Sequence, residues 1–561
     1  MRHSSRWLRV ASVLMALAFL MPLTGAMKRV SAQDSGNVLR VHAPVYPDVF
    51  DPQKSSFVNE ISILQLAYEG LTKLNDKSET VPAAAESWEF NADATELTFH
   101  LRPGLKYSDG SPLTAANFQY AVQRTCDPKT AGEYQSLLFE IKGCAEFAGL
   151  AGDDPDNPKT YTDEEWAKAR DAVAATVVDD NTLKLEFTQP APYYATIAYT
   201  WVFMPVKKEI VDKDPDNWWK TAANHIGNGP FKITSIDEKQ QITFAANDNY
   251  WQGRPKLDGI TYKYIEESSV ALEAYRNGDL DIVSLQPQQI PEVQGDAELS
   301  KAFVQYPSAS TFNLAFNLTK EPFTDKKVRE AFSLAFDRET YCKDVRNGDC
   351  TPTLSWVPNG VPGHIETEKF GFDPEAAKKA LAESSYGGPD KLPEIQYFYN
   401  SDDPANTERA EWIAGQYRDI LGVTITLEPT EGTALVALRK DPTTYPPMII
   451  GGWIQDYPDA QNWLSVYWKC DATFAKRFGY CNPEFDKLVN TGDTTVDPAA
   501  RVKAYEDAGN LLVDDIPGPF LYNLAPAFVV NPAVTGYTPM SNETEWPGQT
   551  GSLMTITKAS S

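Results

Sequence analysis

Histidine is scarce in this chain: five occur in 561 residues, at positions 3, 42, 100, 225 and 364, and none pairs at metal-ligand spacing. No His-Glu-x-x-His helix is present, so the common histidine-rich metal centres are excluded. A Gly-x-Ser-x-Gly elbow and a Gly-rich phosphate loop are also missing, which removes two frequent hydrolytic designs. His100 alternates within an apolar run and His225 precedes Ile226-Gly227-Asn228-Gly229-Pro230; both read as structural. A glycosidase needs only two carboxylates, so a secreted hydrolase stays open. No stretch after residue 27 is long and apolar enough to span a bilayer. No cysteine precedes Cys126, so the N-terminus offers no lipid-attachment thiol. Short repeats and low-complexity tracts are absent.

What is present begins with an export signal over residues 1–32. Arg2 to Arg9 form a basic start, Val10 to Leu20 an apolar run, and Val30-Ser31-Ala32 a small-residue site before Gln33. Lys28 and Arg29, with the length of the apolar run, keep a retained anchor as the alternative. The net charge of −26 disfavours nucleic acid and anionic lipid as partners. The length calls for two or three domains. The six cysteines form three local pairs: Cys126 with Cys144, Cys342 with Cys350, and Cys470 with Cys481. In an exported chain these read as disulfides, with buried free thiols as the alternative.

Periodicity is mixed. Glu96–Leu101, Thr182–Phe187 and Thr311–Leu318 alternate as half-buried strands. Thr162 to Glu165 is a capping box that opens a helix to about Ala175. Asp373 before Pro374, and Thr324 or Asp325 before KKVREAFSLAF, start two more helices. Residues 151–160 read as an exposed connection. Strands and helices do not alternate strictly, so mixed α/β (α+β) lobes with an antiparallel sheet are expected. The stretch Gly451-Gly452-Trp453-Ile454-Gln455-Asp456-Tyr457-Pro458-Asp459 puts two carboxylates where an apolar strand ends. A turn, half of an acid pair, or a counter-charge for a ligand each accounts for it; Asp459 reads mainly as a turn or cap residue.

Several stretches, taken in order, resemble one family. They are Asp51-Pro52, Val58-Asn59-Glu60 with Tyr68 to Leu71, Val81 to Thr114, Ile226 to Phe231, Asn247 to Trp251, Asn277 to Asp281, Phe316-Asn317 with Pro322-Phe323 and Val328 to Ala331, Asp337-Arg338, and Gly452-Trp453 with Asp456 to Asp459. The chain is similar to the large extracytoplasmic solute-binding proteins of ABC importers, the group that binds oligopeptides, dipeptides and nickel (solute-binding family 5). It departs in having Gly227-Asn228-Gly229-Pro230-Phe231 where the family usually has Gly-Thr-Gly-Pro-Tyr.

The resemblance implies a two-lobed fold of the periplasmic-binding-protein type II kind, with an inserted domain and a hinged cleft. Lobe I would comprise 38–55, 180–308 and 526–561, the insertion 56–179, and lobe III 309–525. It implies a non-enzymatic receptor, monomeric and without cofactor or metal, at the periplasmic or extracellular face of the cytoplasmic membrane. The receptor would hand peptides to an ABC permease with its ATPase. Asp456 would hold the peptide ammonium, the backbone of Gly452-Trp453-Ile454 the peptide strand, and the Trp453 side chain a wall. Tyr46 and Pro47 would add an early strand, and Tyr522 a second wall. A sugar, a nickel chelate or an opine remains an alternative ligand.

Overall fold

The computed structural model describes residues 37–151, 161–541 and 553–559. The expected signal over 1–32 and all but the first residue of the connection at 151–160 lie outside these. Three sheets organise the described residues. The first has seven strands, in the order Phe303–Gln305, Ala527–Val530, Ile282–Leu285, Val38–Ala43, Gly259–Tyr264, Gln241–Ala246 and Phe231–Asp237. The second has four antiparallel strands, Ala85–Phe90, Glu96–Leu101, Thr182–Glu186 and Ala175–Asp179. The third has six, in the order Cys350–Pro352, Phe520–Leu524, Ser310–Phe316, Met448–Ile454, Ile395–Asn400 and Ile425–Thr430.

The chain passes between the first and third sheets twice, at 306–309 and 525–526. The crossings are tied together: Ser308 N donates to Leu524 O at 2.8 Å, and Leu524 N donates to Ser310 Oγ at 3.0 Å. The strand Thr182–Glu186, expected in lobe I, pairs with Glu96–Leu101 instead, so the expected boundary at 179/180 cuts through a sheet.

Local signals explain most element starts. Asp325 caps Lys326–Leu334 and Asp373 caps Pro374–Ala382. The Thr162 box is formed reciprocally, with Glu165 N to Thr162 Oγ1 at 3.2 Å and Thr162 N to Glu165 Oε2 at 2.8 Å. Its helix stops at Asp171, short of the expected Ala175, because Ala175 already pairs with Leu185 in the four-stranded sheet. The strand Ser310–Phe316 is buried on both faces, not one. One core packs Leu314 and Phe316, another packs Ala315 with Trp356 and Trp463, so this strand is central and doubly covered. All six cysteines are paired as read: Cys126–Cys144, Cys342–Cys350 and Cys470–Cys481.

The resembling stretches meet as interlocks. Glu69 accepts hydrogen bonds from Tyr250 Oη at 2.5 Å and Trp251 Nε1 at 2.6 Å. Asn228 clasps the Glu69 backbone in both directions, at 3.0 and 2.9 Å. A Cβ on Gly227 would sit 2.0 Å from Ala67 O, so only glycine allows this approach. Asp51 is fully buried and takes both Arg124 Nη atoms at 2.5 Å and Trp218 Nε1 at 2.9 Å.

Candidate functional site

A cavity of about 440 Å³ lies between residues of the first two sheets' connections and the strand Met448–Ile454. The helix Val58–Ala67 contributes Val58, Ile61, Ser62 and Gln65, with Phe57 before it. Tyr134 and Tyr199 come from turns, and Trp201 opens the short 3-10 helix Trp201–Phe203. Ile450 to Asp456, Phe312 and Arg439 form the other wall.

The strand Met448–Ile454 runs along its whole length antiparallel to Ser310–Phe316. On its other side only Met448 and Ile449 have partners, in Tyr397 and Phe398. Gln455 N donates to Ala309 O at 3.0 Å, which sets the alternation. Residues 451, 453 and 455 turn their backbone groups to Ser310–Phe316, and Gly452 and Ile454 turn theirs the other way. Among the described residues no strand pairs with that edge, so the N–H and C=O of Gly452 and Ile454 form a short free strand edge beside the cavity.

The paired glycines have a cross-strand cause. Phe312 lies opposite Gly452, and a Cβ there would meet its ring at 2.6 Å. The ring therefore folds over the glycine and lines the cavity. Behind it Tyr522 stacks at 5.1 Å between centroids. Tyr522 is thus one layer back, in the core with Tyr341 and Tyr397, and does not line the cavity as expected. Tyr46 and Pro47 are also not among the lining residues. The strand before them ends at Ala43, where Pro44 withdraws a backbone donor, and Tyr46 packs edge-on against Tyr264 at 4.7 Å.

Asp456 follows the free edge. It is 8 % exposed, and its carboxylate accepts from Tyr134 Oη at 3.1 Å and Asn462 Nδ2 at 2.9 Å. Its backbone carbonyl accepts from the Tyr199 hydroxyl. Asn462 Oδ1 takes the Asp456 N–H at 3.1 Å and the Trp453 indole N–H at 3.0 Å, so one buried amide orients both residues. Among the described residues no lysine, arginine or histidine forms an ion pair with Asp456. Burial pushes its carboxyl up to about 6, and the Asn462 and Tyr134 hydrogen bonds only partly offset this. Asp459 has the cap role instead. It accepts from Gln461 N at 2.9 Å at the start of Ala460–Trp468, and Arg501 grips it at 2.8 and 2.6 Å.

Gly452, Trp453, Ile454 and Asp456, expected together at a ligand site, all line this cavity. The sequence reading missed Phe57, Ile61, Tyr134, Tyr199, Phe312 and Arg439. These come from distant segments with no shared motif; of them only Phe312 lay in a singled-out stretch, the alternating strand Thr311–Leu318. Among the described residues no group of three or more His, Cys, Asp or Glu gathers to hold a metal, and no helix is long and apolar enough to cross a membrane.

Known proteins resemble this chain over most of its length. The oligopeptide-binding protein OppA of Bacillus subtilis is 29% identical over 473 residues, covering 81% of this chain and 82% of that protein. The periplasmic murein peptide-binding protein MppA of Escherichia coli is 28% identical, over 89% of this chain and 90% of its own length. Among solved structures, Haemophilus influenzae OppA in complex with the peptide RPPGFSPFR superposes with a TM-score of 0.75 at 25% identity, covering 94% of this chain and all of that one (100%). The profile of bacterial extracellular solute-binding proteins, family 5, matches residues 79–475, and the chain belongs to that family.

Proposed function

We propose that this chain is a receptor that captures peptides outside the cytoplasmic membrane and delivers them to an ABC permease. The observation that carries the reading is a free strand edge running into a buried, uncompensated carboxylate inside one cavity. A peptide satisfies both at once. Its backbone adds a strand to Gly452 and Ile454, and its ammonium meets Asp456. An ammonium stripped of water without a counter-charge is costly, so the carboxylate sets where the peptide begins. Trp453 and Phe312 supply walls.

The first sheet and its connections form lobe I, residues 309–525 lobe III, and the four-stranded sheet, with Thr182–Glu186 included, the inserted domain. Closure turns about the two tied crossings at 306–309 and 525–526. The chain acts as an exported monomer and catalyses no reaction; transport energy comes from the partner ATPase. Peptide-binding relatives and a peptide-bound neighbour support the reading. The test is calorimetric titration of the purified protein with Ala-Leu-Ala and its N-acetylated form. Tight binding of the free peptide, lost on acetylation, is expected. Equal binding of both removes Asp456 from the role, and hydrolysis of the peptide overturns the receptor reading.

A further inference from the structure

One aromatic ring crosses between lobes. Lobe I and the inserted domain share a single large apolar core, while the residues of 309–525 fill two others. Among the described residues, Tyr457 is the one member of 309–525 that lies in the first of these cores, and it is fully buried there. Resting on the receptor reading, we propose that Tyr457 is the pin of lobe closure. Its ring seats in the core of the inserted domain when the ligand cavity shuts, and it holds the cavity shut from the position next to Asp456.

The socket belongs to the inserted domain. Tyr193 and Tyr194 follow the strand Thr182–Glu186. Tyr194 Oη donates to Leu137 O at 2.7 Å and Tyr193 Oη to Glu140 Oε1 at 3.3 Å. Ile141 bridges to Phe187, so these segments move as one body with the four-stranded sheet. The phenol ends of Tyr193 and Tyr194 and the Glu140 carboxylate lie close enough to act on the phenol of Tyr457. A second cavity, of about 350 Å³, runs beside the ring, with Leu137 and Ile197 on one side and Gln461 and Val466 on the other. Empty space along the joint means that it is packed less tightly than a core, as a surface that parts should be.

On its own side Tyr457 is held firmly. Its hydroxyl donates to Gln461 Oε1, at the start of the helix Ala460–Trp468. The ring therefore carries its hydrogen-bond acceptor with it, and it can enter the socket without leaving its hydroxyl unpaired. Asn462 fixes Asp456 before it, and Arg501 fixes Asp459 after it. Two further contacts cross the same joint: Tyr134 Oη donates to Asp456, and the Arg501 guanidinium lies 5.5 Å over the Tyr193 ring. Seating Tyr457 thus brings Tyr134 to the carboxylate that meets the ligand. Parting the lobes returns the ring to water, so its burial favours the shut form alone. Ligand contact and closure are coupled through two consecutive residues.

The experiment measures release of Ala-Leu-Ala by stopped-flow from the purified wild-type chain, Tyr457→Ala, Tyr457→Phe, Tyr193→Ala and the double variant Tyr457→Ala with Tyr193→Ala. Small-angle X-ray scattering of each protein without peptide accompanies it. Tyr457→Ala and Tyr193→Ala should each release peptide about 30-fold faster than wild type. Tyr457→Phe keeps the ring and should stay within about threefold. The double variant should be no faster than the faster single one, because both remove the same contact. Tyr193 lies outside lobe III, so its variant tests the socket even where Tyr457→Ala fails to fold. Wild-type release from Tyr457→Ala or from Tyr193→Ala overturns the pin, and so do fully additive effects in the double variant; each leaves the receptor reading standing. If wild type binds no peptide, the receptor reading fails and scattering alone decides the pin. A larger radius of gyration for Tyr457→Ala than for wild type then supports it, and equal radii overturn it.

Discussion

Asp51 and Asp456 are both buried acids in stretches shared with the family, yet their surroundings are opposite. Asp51 is held by Arg124 through two contacts of 2.5 Å and by the Trp218 indole. Among the described residues the Asp456 carboxylate has only the neutral donors Tyr134 and Asn462. A complete set of partners marks an acid that locks one segment to another. Under the proposed function, the cation that Asp456 lacks is the ammonium of the peptide. Glu140 lies between these extremes. Its carboxylate accepts from Tyr193 Oη at 3.3 Å and lies in the fields of Asp493 and Lys469.

Breaking the complete set should have the largest effect. Arg124→Ala leaves Asp51 charged and unpaired in the interior, and should lose about 3–5 kcal/mol of stability in a urea titration. A loss under about 1 kcal/mol would mean that the pair locks nothing.

Glu140 comes next. Burial, chiefly, moves its carboxyl from an ordinary 4.5 to about 7. The folded state therefore holds this proton more tightly than the unfolded chain. The stability it contributes is full below about 4.5 and is lost as pH rises through about 7. Glu140→Gln should be stabilising at pH 8, by up to about 3 kcal/mol, and near neutral at pH 4. Thermal unfolding at the two pH values checks the sign. Asp493, Lys469 and Tyr193 are the groups that face Glu140, and Asp493 is itself raised to about 6, chiefly by burial, so it adds to the same trend.

Asp456→Asn should separate binding from stability. Peptide affinity should fall by about 2 kcal/mol, roughly 30-fold, with the unfolding midpoint unchanged or slightly raised. A matching drop in stability would make Asp456 a second Asp51.

The smallest effect is a pH slope on binding. With its carboxyl near 6 in the unliganded protein, Asp456 is charged at pH 7 and mostly neutral at pH 5. The charged form is the one that pairs with an ammonium. Affinity should weaken by about tenfold from pH 7 to pH 5, and Asp456→Asn should flatten the slope.

Much of the local structure was legible. Asp325, Asp373 and Thr162 each start a helix because a side-chain oxygen reaches a backbone N–H two or three residues on, which is a purely local event. The three cysteine pairs were legible for the same reason, since short loops bring their ends together. The end of the Thr162 helix was not, because strand pairing with Leu185 overrode it. Tyr46 and Tyr522 were misplaced because an aromatic side chain looks the same in sequence whether it faces a cavity or a core. Arg439 escaped notice because nothing in the sequence around a lone arginine on a helix says which cavity it lines.

Residue types and spacing alone determined the acidic composition, the caps and the residues that follow the Met448–Ile454 strand, since each is read from the chain itself or from neighbours a few positions away. Tertiary structure decided which carboxylate stays uncompensated and which strand edge stays free. Both depend on what arrives from hundreds of residues away: Tyr134 donates to Asp456 across 322 positions of chain, and among the described residues no strand arrives to cover Gly452 and Ile454.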